Sequence, residues 1–408
     1  MRELSYPKNK INVLLLEKVD KIAFDLFKEE GYNVESLDGS LSEKDLIKKI
    51  KDVSILGIRS KTIISDKVIK SANKLLAIGA FCIGTNQIKF ESCNDSGIVV
   101  FNAPYSNTRS VVEIVIAQII NLMRKIVIKS NKMHSGVWRK DSLDSFEIRN
   151  KVIGIVGYGN IGSQLSVISE ALGMKVLYYD IVDKLSIGNA KKCKSLNDLL
   201  QNSDIVSLHV DGKKSNTNLI SDKEFSIMKE KSILVNYSRG NVVDIDSLIK
   251  NIKSKKLMGA ALDVFPEEPS NNKEKFKSKV KGIEEIILSP HIGGSTKEAQ
   301  KNIGSYVPDK IIDFINSGNT SSSVNFPKLS LPEQSDSHRL IHIHKNQPGV
   351  MLKINKIISE YNINIKGQYL KTNEEIGYVI TDIDSVYNKE VVKSLKNIPA
   401  TIKLRVLY

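Results

Sequence analysis

Apolar positions fall into three stretches of different rhythm along the chain. Between residues 151 and 290, apolar runs recur at 152–156, 175–179, 204–210, 232–237, 258–264 and 285–289. Runs this continuous read as strands covered on both faces. Amphipathic stretches such as 161–172 and 196–201 lie between them, so the repeat is strand, helix, strand, and the predicted sheet is parallel and doubly wound. Earlier runs at 11–16, 53–58, 76–79 and 99–102, with helical patterns at 41–50 and 65–72, predict a second α/β unit. One long helical pattern, 107–133, joins the two, and another, 298–317, returns the chain to the first unit.

A polar, serine-rich segment at 316–323 precedes Pro327, Pro332 and the polar run 333–337, which reads as a linker. The remainder predicts strand 339–344, helix 348–361, strands 363–370 and 377–382, helix 389–395 and strand 401–407, the split order of a ferredoxin-like α+β domain. The expected organisation is a discontinuous flavodoxin-like α/β domain (1–106 and 296–330), an inserted Rossmann-type domain (107–295), a linker (331–337) and a terminal ferredoxin-like domain (338–408).

A length of 408 residues at 41% apolar composition supports more than one core. No apolar run approaches the roughly 20 residues of a membrane span; residues 111–123 are interrupted by Glu113, Gln118 and Asn121. Lys8 and Lys10 precede a short apolar run, but Glu17, Lys18 and Asp20 follow without a cleavage site, so no secretory leader is expected. Cys82, Cys93 and Cys193 are odd in number and lack paired spacing, which predicts reduced cytoplasmic thiols and no metal site. The net charge of +14 is spread over lysines set among acidic and polar residues, so neither nucleic acid nor membrane is expected as a partner. A positive field does favour a polyanionic substrate.

Gly157-Tyr158-Gly159-Asn160-Ile161-Gly162 follows the run 152–156 directly and opens a helix. Its glycines permit a tight turn and close approach to a pyrophosphate, whose charge is met at the helix N-terminus. Asp180 directly follows the next strand, eighteen residues past Gly162, where a carboxylate binds ribose hydroxyls and repels a 2′-phosphate. NAD is therefore the expected cofactor. Polar residues just past the other apolar runs are Ser238, Arg239, Asp263 and His291, with Glu268 in the loop after Asp263. In a parallel sheet these strand ends share one edge, where ligands lie.

Together with Gly79-Ala80-Phe81-Cys82-Ile83-Gly84-Thr85-Asn86, the stretch from Asn102 to Ser110, Ser238-Arg239-Gly240, the run from Asp263 to Pro269, and Ser289-Pro290-His291-Ile292-Gly293-Gly294-Ser295, these motifs make the chain resemble the D-isomer-specific 2-hydroxyacid dehydrogenase family, with a C-terminal ACT domain. Tyr237, Asp211 and the linker, which lacks paired glycines, depart from the usual pattern.

The resemblance implies a catalytic set of Arg239, Glu268 and His291. Oxidising a secondary alcohol calls for a base near neutrality, His291, oriented by Glu268, with Arg239 gripping the substrate carboxylate. The implied NAD contacts are Gly157, Gly159, Asn160, Ile161, Gly162, Asp180, Tyr237, Ser238, Arg239, Asp263, His291, Gly293 and Gly294, with Asp263 at the nicotinamide end. The expected substrate is 3-phosphoglycerate, bound by Arg59, Ser60, Lys61, Asn107 and Arg239, with Lys140 reaching a partner subunit's site in a homodimer or homotetramer and Trp138 filling an interface pocket. Pro348 is expected in the first turn of a helix beside an effector site for L-serine, formed by His344 and Asn346 with Asn364 of a partner. The alternatives are a reductase of another small 2-oxo acid and a non-enzymatic NAD-sensing corepressor.

Overall fold

The computed structural model describes residues 7–269, 273–331, 337–384 and 389–407. Packing separates two units, Met1–Ser106 with Gln300–Tyr408, and Asn107–Ala299.

In the second unit, alternate residues of each buried strand serve opposite cores. Ile153, Ile155, Ile233 and Val235 pack with Val111, Val112, Val115 and Ile119 of the helix Thr108–Arg124. Val156, Val206, Leu208 and Leu234 face the other way, against Leu199, Phe225 and Leu248. Period-two alternation with both faces covered explains the unbroken apolar runs, and each buried Val, Leu or Ile contributes about 1.5–3 kcal/mol. Seven strands order as Ile286–Leu288, Leu257–Leu262, Ser232–Asn236, Ile205–Leu208, Val152–Val156, Lys175–Tyr179 and Lys191–Lys192, all paired in parallel. The order reverses beside Val152–Val156, which places a crevice at that strand's carboxyl end. The helix expected over 107–133 is two helices, Thr108–Arg124 and Ile126–His134. Lys125 breaks it in the left-handed region, φ +51°, its N–H bonding to the Asn121 and Leu122 carbonyls.

The first unit holds a parallel five-stranded sheet in the order Asn33–Ser36, Asn12–Leu15, Ile55–Ile58, Ala77–Ala80, Val99–Asn102, the flavodoxin-like arrangement. The edge strand Asn33–Ser36 and the helices Lys21–Glu29 and Phe90–Asp95 were not expected; the strand buries only Val34, and the longer helix only Ala23 and Phe27. One face is closed by Ile303, Val307, Ile311 and Phe314 of the helix Lys297–Ser317.

Residues 338–407 form an antiparallel sheet in the order Ile365–Thr372, Ile376–Ile383, His338–Lys345, Thr401–Leu407. The helices Val350–Glu360 and Lys389–Lys396 cover one face. On the other, Ile341, Ile343, Tyr378 and Ile380 share a core with Phe314, Ile315, Phe326 and Leu329, so this segment has its own sheet yet belongs to the first unit. Buried polar groups tie the two parts. Arg405 donates to the Ile315 carbonyl (3.1 Å) and Arg339 to the Ser317 carbonyl (2.8 Å), two of the otherwise orphaned carbonyls at the end of Lys297–Ser317, and the Tyr378 hydroxyl donates to the Gly318 carbonyl just beyond it (2.6 Å). Arg339 also makes a forked pair with Asp382 at 2.7 and 3.0 Å. Pro348 does not open the helix: Gly349, with φ +81°, is its N-cap and Val350 its first residue. Most of the expected linker, 332–336, lies outside the described residues.

Candidate active site

The dinucleotide loop is shaped by close backbone contacts that admit only glycine. At Gly157, φ +92°, a Cβ would sit 2.4 Å from the His209 carbonyl oxygen; at Gly162 it would sit 2.2 Å from the Gly157 oxygen. Gly159, by contrast, has nothing within 4 Å of its would-be Cβ. It caps the helix Asn160–Ala171 and leaves that N-terminus, with Asn160 and Ile161, open to an anion. Asp180, half-buried at the end of Lys175–Tyr179, accepts from the Tyr158 N–H (2.7 Å) and the Val182 N–H (2.9 Å). A carboxylate held against the loop fits a ribose diol and opposes a 2′-phosphate. His209, overlooked in the sequence, lies beside this loop. Burial pushes its imidazole down to about 4, its Nε2 pairs with Ser207 (2.8 Å), and its Nδ1 has no partner among the described residues.

At the exit of Ser232–Asn236, the buried Asn236 side chain forms the next loop. Its Oδ1 accepts from the Ser238 N–H (3.1 Å) and hydroxyl (2.8 Å), and its Nδ2 donates to the Arg239 carbonyl (3.0 Å). A Cβ on Gly240 would lie 2.0 Å from the Phe265 carbonyl, so this loop lies flush against the one carrying Glu268. Arg239 donates to the Ser238 carbonyl (2.7 Å) and has no carboxylate partner among the described residues.

Glu268 accepts from the Phe265 N–H (3.1 Å) with one oxygen and faces His291 Nδ1 at 2.7 Å with the other. His291 is in the left-handed region, φ +53°, strain of the kind that clusters at functional sites. The Glu268 hydrogen bond raises its pKa above the ordinary imidazole value, burial opposing, with the Glu268 and Asp263 charges adding and Arg239 subtracting. Burial works to raise Glu268, but the His291 bond and charge bring it below the ordinary carboxylate range.

Two residues expected at the cofactor also make bonds within the protein. The buried Asp263 carboxylate accepts from the Ser289 hydroxyl (2.6 Å), the Ile292 N–H (2.9 Å) and the Gly293 N–H (2.7 Å), so it holds the His291 loop. Burial raises its pKa, against these bonds. Tyr237 is turned into the core, its hydroxyl 2.9 Å from that of Ser289. Gly294 lies against the Asn107 amide, whose Oδ1 is buried without a partner among the described residues.

In the first unit, Arg59, Ser60 and Lys61 follow the strand Ile55–Ile58; Arg59 is half-buried, the other two exposed. Lys140 is exposed and Trp138 is 76% exposed. The expected effector residues are not brought together in one chain. His344 and Asn346 lie at one end of the C-terminal sheet, whereas Asn364 precedes Ile365, which pairs with Ile383 at the other. His344 is buried, its Nδ1 on the Lys345 carbonyl (2.7 Å) and its Nε2 without a partner among the described residues; Asn346 donates to the Asn373 carbonyl (2.7 Å) and Asn364 to Asp384 (3.0 Å).

An arginine and a carboxylate-paired histidine at the carboxyl edge of a doubly wound sheet, beside an open glycine loop, define a nicotinamide-dependent dehydrogenase. Residues 116–293 match the NAD binding domain of D-isomer specific 2-hydroxyacid dehydrogenases, and residues 340–403 match the AHAS small subunit-like ACT domain. Over 404 residues the chain is 49% identical to a D-3-phosphoglycerate dehydrogenase of Dictyostelium discoideum, covering 99% of both, and over 411 residues it is 47% identical to that of Escherichia coli strain K12, covering 100% of both. A D-2-hydroxyisocaproate dehydrogenase shares the fold, with a TM-score of 0.69 and 23% identity over 77% of this chain and 100% of the other. The chain belongs to the D-isomer-specific 2-hydroxyacid dehydrogenase family, and NAD is its cofactor.

Proposed function

We propose that the protein oxidises D-3-phosphoglycerate to 3-phosphohydroxypyruvate in the cytoplasm, the first step of L-serine biosynthesis, and that L-serine feeds back on it through the C-terminal domain. The His291–Glu268 pair at 2.7 Å, with the Glu268 loop packed against that of Arg239, carries the activity. Full-length similarity to D-3-phosphoglycerate dehydrogenases supports the substrate.

Bound NAD supplies the hydride acceptor. The helix N-terminus at Gly159, Asn160 and Ile161 takes the pyrophosphate and Asp180 the ribose, while Ser238, Gly293 and Gly294 supply backbone. His291 Nε2 accepts the substrate hydroxyl proton. Glu268 fixes its tautomer through Nδ1 and stabilises the imidazolium. Arg239 forks onto the substrate carboxylate and polarises the oxo group in the reverse direction. Arg59, Ser60 and Lys61 take the phosphate, Asn107 offers its Oδ1, which has no partner among the described residues, and Lys140 serves the partner's site in a homo-oligomer.

Initial rates on 3-phosphoglycerate, glycerate, lactate and 2-hydroxyglutarate test the reading. The phosphorylated acid is expected to give the highest kcat/KM; equal or faster turnover of an unphosphorylated acid replaces this reading with that of a reductase for small 2-oxo acids.

A further inference from the structure

The chain leaves the strand Asn12–Leu15 in an unusual way. Glu17 and Lys18 are consecutive non-glycine residues in the left-handed region, φ +65° and +53°. Such conformations are disfavoured and persist only where the surroundings impose them. The Glu17 N–H bonds the Gly39 carbonyl (3.1 Å) and the Lys18 N–H the Leu37 carbonyl (3.3 Å). The turn delivers a carboxylate, 7% exposed, to the exit of a neighbouring strand. One Glu17 oxygen accepts from the Lys61 N–H (2.9 Å), the other from the Thr62 N–H (2.7 Å). From the other side, Gln87 donates to the Arg59 carbonyl at 2.7 Å. Side chains within the loop do not hold it: the buried Thr62 hydroxyl has no partner, and Arg59 and Lys61 have no carboxylate partner among the described residues.

The backbone of residues 59–62 is thus clamped by two distant side chains while its cations stay available. A carboxylate has the wrong sign to touch a phosphate, so Glu17 acts through the loop. We propose that Glu17 is a positioning residue that fixes Arg59 and Lys61 for a phosphate-bearing substrate, and so sets the preference for phosphorylated over unphosphorylated 2-hydroxy acids. This rests on the reading that the loop takes the phosphate. The ionised carboxylate offers acceptors to both adjacent N–H groups; glutamine offers one acceptor and turns a donor toward the other N–H.

The test uses the full-length enzyme with Glu17→Gln, Gln87→Ala and Arg59→Ala, assayed on 3-phosphoglycerate and on D-glycerate, with NAD KM and thermal midpoint measured in parallel. Glu17→Gln is expected to lower kcat/KM for 3-phosphoglycerate about tenfold, mainly through KM, as loss of one loop-fixing hydrogen bond to a charged group implies. Its kcat/KM on D-glycerate should change less than about twofold. Gln87→Ala, which releases the opposite side of the loop, should show the same selectivity even if Glu17→Gln folds poorly. Parallel losses on both acids reduce Glu17 to a structural role and overturn the proposal. If Arg59→Ala weakens the phosphate preference while Glu17→Gln and Gln87→Ala do not, the clamp alone is overturned. An unaltered preference in Arg59→Ala overturns the phosphate reading and the clamp together.

Discussion

At the residue scale, the titration of His291 links geometry to rate. Glu268, with Asp263 behind it, stabilises the protonated ring, so the base form needed for alcohol oxidation exists only above a pKa higher than the ordinary value of about 6.5. The oxidation rate should fall as pH drops through that raised value. Glu268→Gln removes the negative partner, so the acid limb of kcat/KM should move to lower pH while kcat drops; an unmoved limb would show that another group titrates. His291→Ala and Arg239→Ala should each cost about 10²–10⁴ in turnover, with NAD affinity by calorimetry nearly unchanged. For Arg239→Ala, a rise in KM at constant kcat would limit the guanidinium to uniform binding.

At the element scale, strand exits place the chemistry and glycines let neighbouring loops approach it. The exit of Lys175–Tyr179 sets cofactor choice, because Asp180 is anchored to the glycine loop by the Tyr158 N–H. Asp180→Asn should narrow the ratio of kcat/KM for NAD over NADP by roughly tenfold or more, since a carboxylate close to a 2′-phosphate costs at least that in a partly desolvated crevice. NAD itself should bind more weakly as the loop loses an acceptor. Comparable kcat/KM for both cofactors in the unaltered protein would remove Asp180 from this role. Helix boundaries follow the same local logic: Lys125 in the left-handed region ends Thr108–Arg124, and nothing in Ile126–His134 is buried.

At the scale of the whole molecule, the C-terminal sheet shares a core with the first unit and caps the end of Lys297–Ser317, whose start lies six residues past His291 in the chain. Asp382 is fully buried against Arg339. Asp382→Ala should cost about 3–5 kcal/mol in urea unfolding, since it leaves a guanidinium buried with its main partner removed. A loss below 1 kcal/mol would mean that the interface opens and lets water in. L-serine should give a measurable heat at millimolar concentration, weakened in Asn346→Ala, and should lower turnover. Binding alone does not inhibit; the ligand must favour one arrangement of the sheet and its helix. No heat removes the effector, whereas heat without inhibition removes only its transmission.

The sequence alone determined where strands end and which polar residues follow them, because continuous apolar runs mark strands buried on both faces and a parallel sheet gathers their exits at one edge. Gly157, Gly162, Asp180, Arg239, Glu268 and His291 were legible for that reason. Glu17 also follows an apolar run, and applying the same rule to the first unit would have singled it out. Tertiary structure decided what depends on partners distant in sequence. Asn33–Ser36 is a strand because Asn12–Leu15 offers it an edge, not because its own pattern alternates. Asp263 holds the His291 loop, Tyr237 faces Ser289, and His344 is buried, because each meets groups placed by other elements. The C-terminal segment carries every local sign of a separate domain. The packing of Tyr378 and Ile380 with Phe314 and Phe326 helps join it to the first unit, which periodicity does not foretell, since it tells which face of a sheet is apolar but not what covers it.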